Sequence, residues 1–265
     1  MKRKRSCLLF LGLVAMASGA LADENGGSAC SGLPSYAAFK SALIAAVQAE
    51  SSGLDFQMWG TIVDRDGVVC AVAFSGADRG SQWPGSRVIS AQKANTANAF
   101  GLNGLALSTA NLYSAVQPGG SLYGLQHSNP VDTDVAYGGS PSSYGTAHDP
   151  MVGRRIGGVN VFGGGLGLYD RQHKIVGGVG VSGDTSCADH MIAWRVRANL
   201  GLDHLGSVVG GPAALFANDP THPDNIIFDI QANPSGGTGI SGTGFGHPTC
   251  LNQTTDPKSL PPVSP

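Results

Sequence analysis

Apolar residues recur at helical spacing in three stretches of the chain. From Pro34 to Ser52, Tyr36, Phe39, Leu43, Ile44 and Val47 share one helical face. Pro34 suits the start of that helix and Gly53 its end. Over residues 86–100, Val88, Ile89, Ala91, Ala94, Ala97 and Phe100 alternate with polar Ser90, Lys93, Asn95 and Asn98. This predicts an Ala-rich helix ended by Gly101, with side chains small enough to admit another backbone. The third helix is predicted from about Ser186 to Leu200, with Met191, Ile192, Val196 and Leu200 inward and Asp184 or Thr185 as its N-cap. A short helix is also predicted within 104–116.

Between these helices the pattern becomes that of strands. Thr61–Val63 and Val68–Phe74 flank Asp64-Arg65-Asp66-Gly67, a hairpin with glycine where the turn needs a positive φ. Val159–Tyr169, interrupted by Gly163-Gly164-Gly165, and Lys174–Val181 form a second hairpin around residues 170–173. Ile226–Ile230 adds one more strand-like run. Residues 117–158 are rich in Gly, Pro, Ser and Asn and read as a long loop, while 252–265 carry four prolines and read as disordered. Strands joined by tight turns favour antiparallel pairing. The fold class is therefore α+β: a small antiparallel sheet of about five strands, flanked by helices, with a loop-rich C-terminal extension.

Export changes the charge balance. Lys2, Arg3, Lys4 and Arg5 precede an apolar run from Cys7 to Ala17, and Ala20-Leu21-Ala22 is a small-x-small cleavage site. Residues 1–22 thus have the pattern of a signal peptide, and the run is short for a membrane span. A periplasmic or secreted location is expected. Removing this segment takes away four basic residues and no acidic one, moving the net charge from −2 to −6. An acidic chain is a poor nucleic-acid binder, and no later segment is apolar enough to span a bilayer. With 42% hydrophobic residues the chain can bury a core, so its 40 glycines do not signal general disorder.

Four cysteines remain after cleavage: Cys30, Cys70, Cys187 and Cys250. In an exported chain they predict two disulfides, with three connectivities open. There is no C-x-x-C, so neither a thioredoxin-like motif nor a zinc knuckle is indicated.

Other motifs fail on context. Gly178-Val179-Gly180-Val181-Ser182-Gly183 fits G-x-G-x-x-G, but no second parallel strand follows it. Ser182, Asp184 and His190 are close in sequence, yet a capped helix start explains them better than a triad. Seven histidines form no dense cluster. His127 stands out because it follows Gln117–Gly124, a glycine-rich stretch whose backbone can line a pocket, with Tyr123 and Phe162 as flat apolar surfaces.

Five segments in order carry a resemblance. They are Ile62–Gly67, Ser90–Phe100 with its K-A-x-T-A-x-x-F core, Gln117–Leu125, Phe162–Leu166, and Ile175–Gly183. Together they resemble the GlcG/HbpS-like family, related to the C-terminal domain of PduO-type proteins, over roughly residues 34–202. The resemblance implies a haem-binding domain at 23–204 with an insertion at about 131–156, followed by the extension 205–265. It also implies assembly into dimers or larger homo-oligomers, with haem held non-covalently between subunits or in a groove. The pocket residues it points to are Lys93, Thr96, Gly119, Gly120, Tyr123, His127, Phe162, Gly163 and Gly164, with His127 as the candidate iron ligand. Lys93 fits equally well as a lysine with a buried stem paired to a carboxylate. Because Cys250 and Cys187 lie outside the family pattern, the resemblance favours Cys187–Cys250, which leaves Cys30–Cys70.

The leading expectation is an exported haem- or tetrapyrrole-binding protein that sequesters haem or iron. Two other readings stay open. One is a periplasmic enzyme acting on a small organic acid or metabolite in the same groove, with glycine-loop N–H groups holding a carboxylate or oxyanion. The other is a structural oligomeric partner of an exported redox system.

Overall fold

A computed structural model describes residues 29–265. The expected signal segment and its expected cleavage site lie outside the described residues. Among those residues, no helix is long and apolar enough to cross a membrane.

Helix α1 (Tyr36–Gln48) is capped by Ser35, whose hydroxyl accepts the Ala38 N–H. It ends one turn before Gly53, which instead occupies a turn at φ +82° beside Asp184. Strands β1 (Trp59–Asp64) and β2 (Val69–Phe74) form the first hairpin, with Gly67 at φ +76°. Helix α2 (Ser86–Phe100) ends at Gly101. Two short helices follow, α3 (Leu125–Ser128) and α4 (Thr133–Tyr137). The second hairpin is β3 (Gly165–Tyr169) with β4 (Ile175–Ser182), and Thr185 caps α5 (Ser186–Asn199). The extension carries α6 (Pro212–Phe216) and a two-stranded ribbon, β5 (Ile230–Gln231) with β6 (Ile240–Ser241).

The main sheet has four strands in the order β2-β1-β4-β3, every neighbouring pair antiparallel. Alternation along β1 sorts the layers. Thr61 meets α2, its hydroxyl 2.8 Å from that of Ser90, while Gly60 and Ile62 meet Phe39 and Leu43 of α1. Thus α2 covers one face, and α1 with α5 covers the other.

Strand β4 is glycine-rich because α2 lies directly on it. A Cβ at Gly180 would stand on the Ser90 carbonyl oxygen and the Ala94 nitrogen, and one at Gly178 on the Ala94 carbonyl. Both obstacles are helix backbone, which cannot swing aside.

Several expected loops are packed structure. In the 131–156 insertion, Val135, Ala136, Met151 and Ile156 join Trp59, Val63, Val72, Val88 and Ala91 in a buried cluster. Arg87 fastens it, with two contacts to Asp149 at 2.9 and 2.5 Å. Residues 104–116 form two 3-10 turns, Thr109–Leu112 and Ser114–Val116, rather than a helix.

The Val159–Tyr169 stretch joins the sheet only from Gly165. Its first half is diverted to side chains: the Asn160 N–H to Thr96 and the Phe162 carbonyl to Thr109. The Ile226–Ile230 run stays out of the main sheet and contributes only Ile230 to the ribbon.

The reading of 252–265 as disordered is corrected. Leu260 is buried, Trp194 Nε1 donates to the Pro261 carbonyl at 2.9 Å, and the Val263 and Ser264 N–H groups find carbonyl partners. The prolines remove few needed donors there because their carbonyls are the groups used. Two disulfides, Cys30–Cys70 and Cys187–Cys250, tie the beginning and the end of the described chain to the core.

Candidate functional site

The expected pocket residues fall into two groups. The first surrounds the turn Phe162-Gly163-Gly164-Gly165. Thr109 clasps this turn from both sides, donating to the Phe162 carbonyl at 2.7 Å and accepting the Gly165 N–H at 2.8 Å. Gly164, at φ +118°, leaves room for the Lys93 ammonium, which a Cβ there would crowd. Lys93 is fully buried. It donates to Asp189 Oδ2 at 2.6 Å and to the Val181 carbonyl at 3.1 Å, and its Nζ lies 4.9 Å from the centre of the Phe162 ring. Thr96 is buried as well, donating to the Gln92 carbonyl and accepting the Asn160 N–H.

Asp189 and two histidines complete this group; the sequence offered His190 only beside Ser182 and Asp184, and marked none of the three as a pocket residue. Asp189 Oδ1 accepts the N–H groups of Gly183 and Asp184 at 3.0 Å each, so one carboxylate closes the β4–α5 corner and pairs Lys93. The available signal was an Asp in the first turn of a helix entered from a glycine-ended strand. His190 Nε2 lies 3.2 Å from Asn225 Oδ1, while its Nδ1 is buried without a partner among the described residues. Asp184 is occupied by the Leu54 and Phe56 N–H groups, so Ser182, Asp184 and His190 form no triad. His247 Nδ1 is 2.7 Å from the Pro248 carbonyl, and the Gly163 N–H points at its Nε2 from 3.4 Å.

Burial dominates the electrostatics here. It lowers His190 to about 3 and His247 to about 4, so both imidazoles are neutral near pH 7. It pushes Asp189 up to about 6 against the pull of Lys93, and it pushes Lys93 below the usual lysine range. This junction is a filled, hydrogen-bonded corner.

The second group is at the surface. Gly119, at φ +86°, and Gly120 turn the chain between the 3-10 turns and α3. Gly120 also lines a cavity of about 350 Å³ with Ser114, Gln117, Asn233, Thr238 and Ile240, between this loop and the ribbon. Beyond the turn, Leu122 and Leu125 pack with Phe100 on buried Leu112, Val116, Val159 and Val161. Tyr123 is 65% exposed, and His127 is exposed, its ring making no hydrogen bond among the described residues. The segment Val159–Phe162 links the two groups: Val159 and Val161 support the α3 surface, while Asn160 and Phe162 contact Thr96 and Lys93.

An exposed imidazole and a phenol that alternate along the chain with Leu122 and Leu125 of the apolar cluster are a fitting donor set for haem iron and for a flat macrocycle. They fit it from one side, because among the described residues Tyr123 and His127 are exposed. Lys93, already paired at 2.6 Å and fully buried, is a structural cation here.

A four-stranded antiparallel sheet, covered by one long helix through its glycine strand and by two helices on the other face, defines a compact α+β class. Within that class, the sequence matches the model of the haem-degrading HbpS-like proteins over residues 37–197, and the chain belongs to this family. No curated protein matches the chain. Among solved structures, it is similar to the Klebsiella pneumoniae protein ORFY, with 25% identity, 63% of this chain and 90% of that chain covered, and a TM-score of 0.42. It is also similar to the protein in a PduOC–haem complex, with 24% identity, 62% and 89% coverage and a TM-score of 0.43. A double mutant of Streptomyces reticuli HbpS shows 17% identity, 71% and 99% coverage and a TM-score of 0.42.

Proposed function

We propose that the chain is an exported haem-binding protein that sequesters haem or iron. Haem would be held at the α3 surface by His127, offering its imidazole to the iron, and by Tyr123, offering its flat ring. The observation that carries this reading is the exposed imidazole of His127, which has no hydrogen bond among the described residues and lies on α3 two positions after Leu125 of an apolar cluster, within the part of the chain that belongs to the HbpS-like family. The pattern of residues 1–22 supports delivery to a periplasmic or extracellular space, where a haem scavenger meets its ligand. When bound, haem supplies the iron and its redox chemistry. The protein's own part is to offer the imidazole, exclude water from one face, and hold the glycine turn through Thr109.

One chain presents one face, whereas small-molecule sites bury about 70–90% of their ligand. A second copy of the chain supplies the other face in this reading, so haem joins a homo-oligomer. Titration of the purified mature chain with haem, followed by size-exclusion chromatography, tests both parts. A saturable Soret shift with a rise in mass or a fixed oligomer is expected; no Soret change at micromolar haem rejects the proposal.

A further inference from the structure

The Cys187–Cys250 disulfide stands beside a buried imidazole that haem binding does not use. Cys187 lies in the first turn of α5 and is fully buried. His247 Nδ1 is 3.9 Å from the Cys187 sulfur, and both sulfurs and Nδ1 fall within 4.8 Å of one another. The Cys187 N–H points at Cys250 Sγ from 3.2 Å, and the Ser186 hydroxyl is 3.6 Å from the same sulfur. A thiolate at Cys250 would therefore be stabilised by the N-terminal turn of a 14-residue helix. Cys250 is only half-buried, in a segment followed by exposed Leu251 and Asn252, so its sulfur can be reached and can move.

We propose that reduction of the Cys187–Cys250 disulfide converts this corner into a Cys2His site for a borderline-soft divalent cation of the Zn2+ type. A thiol or phosphine reductant supplies two electrons and is itself oxidised; the S–S bond breaks and two thiols form. Cation binding then displaces both thiol protons to solvent. Two thiolates and one neutral imidazole cancel the double positive charge, so the occupied corner is neutral overall. Three protein donors leave the fourth tetrahedral position open to water or an added ligand. To bind, Nδ1 exchanges its contact with the Pro248 carbonyl for the cation, and the proton moves to Nε2 at the expense of the long contact from Gly163.

The other disulfide has a poorer third donor. Asp64 stands by Cys30 and Cys70, but its Oδ1 already accepts the Asp66 and Val68 N–H groups in the hairpin turn. That pair serves as the control. The Cys30→Ser/Cys70→Ser variant is reduced with a phosphine under anaerobic conditions and titrated with Co2+, then Zn2+. Thiolate-to-cobalt absorption and circular dichroism are followed. One equivalent of Co2+, displaced by Zn2+, is expected. His247→Ala should weaken binding by at least about 100-fold, beyond the loss typical of outer-shell partners, while exposed His148→Ala leaves it unchanged. Absence of a thiolate–cobalt band, or equal affinity after His247→Ala, overturns the proposal. If reduction unfolds the chain, Zn2+ is expected to restore the native spectrum, and failure to do so overturns it equally.

Discussion

Lys93 on α2 and Asp189 on α5 meet at 2.6 Å beside the end of β4, both fully buried, and join the helices on opposite faces of the sheet. The pair passes beside Gly164, where a side chain would block it. Removing one member leaves the other charge stranded, a loss of about 3–5 kcal/mol. Lys93→Met should therefore lower urea stability by that amount. Lys93→Met/Asp189→Asn keeps an oxygen for the Gly183 and Asp184 N–H groups and should recover most of the loss. Both folded variants should bind haem like the wild type; loss of the axial signature in Lys93→Met would instead make Lys93 a ligand.

The contact of α2 with β4 predicts sharp intolerance at Gly180. Gly180→Ala places a methyl group on the Ser90 and Ala94 backbone and should cost about 3 kcal/mol, the upper end for overpacking. Gly104→Ala, which meets nothing within 4 Å, should change stability by less than about 0.5 kcal/mol. Denaturant midpoints of the two variants make the comparison.

The 131–156 insertion depends on Arg87 and its carboxylate partner Asp149, which also accepts the Gly145 and Met151 N–H groups.

 Arg87→Ala leaves that carboxylate buried without its cation. It should cost about 3–5 kcal/mol and expose the insertion to limited proteolysis. Cleavage confined to residues 131–156 is the expected result; unchanged protease resistance would contradict the docking role of the pair.

Stability should fall on mild acidification. His190 and His247 have folded values of about 3 and 4 against an ordinary 6.5. Between pH 6.5 and 4 the unfolded chain therefore binds more protons, and stability drops as pH falls. Asp189, raised to about 6, works the other way below that pH, because the folded chain takes up its proton first. From pH 7 to pH 5 the two histidines outweigh Asp189, for a net loss of about 2 kcal/mol at roughly 1.36 kcal/mol per pKa unit. Urea unfolding at both pH values checks this, and His190→Asn should flatten the slope by about half or more. Equal stability at pH 7 and pH 5 would show that the imidazoles are not held neutral.

The helices were legible because burial on one face leaves a period in the sequence. Val88, Ala91, Ala94 and Ala97 mark α2, and Gly101 ends it where expected. The glycines of β4 were legible as sites of close approach, although only the structure shows that α2 is what approaches. The insertion and the tail were not legible. Their order rests on long-range partners such as Arg87 with Asp149 and Trp194 with Pro261, which leave no local period. At the candidate site, His127 and Tyr123 could be picked out by their place after a glycine turn. Asp189, His190 and His247 could not, because three separate segments bring them together. Lys93 was readable only as an open choice between ligand and ion-pair partner, and the 2.6 Å contact with Asp189 places it in the second role.

The central claim is that His127 presents an axial donor to haem on the α3 surface. Its most direct test is a spectrophotometric haem titration of the mature wild type beside His127→Ala. Because His127 is exposed and makes no side-chain hydrogen bond, the substitution should leave the fold intact. The wild type should saturate with a histidine-ligated Soret spectrum at about one haem per two chains, and His127→Ala should lose that spectrum and bind about tenfold or more weakly. Identical spectra and affinities for the two proteins, or no saturable spectrum from the wild type, would contradict the account.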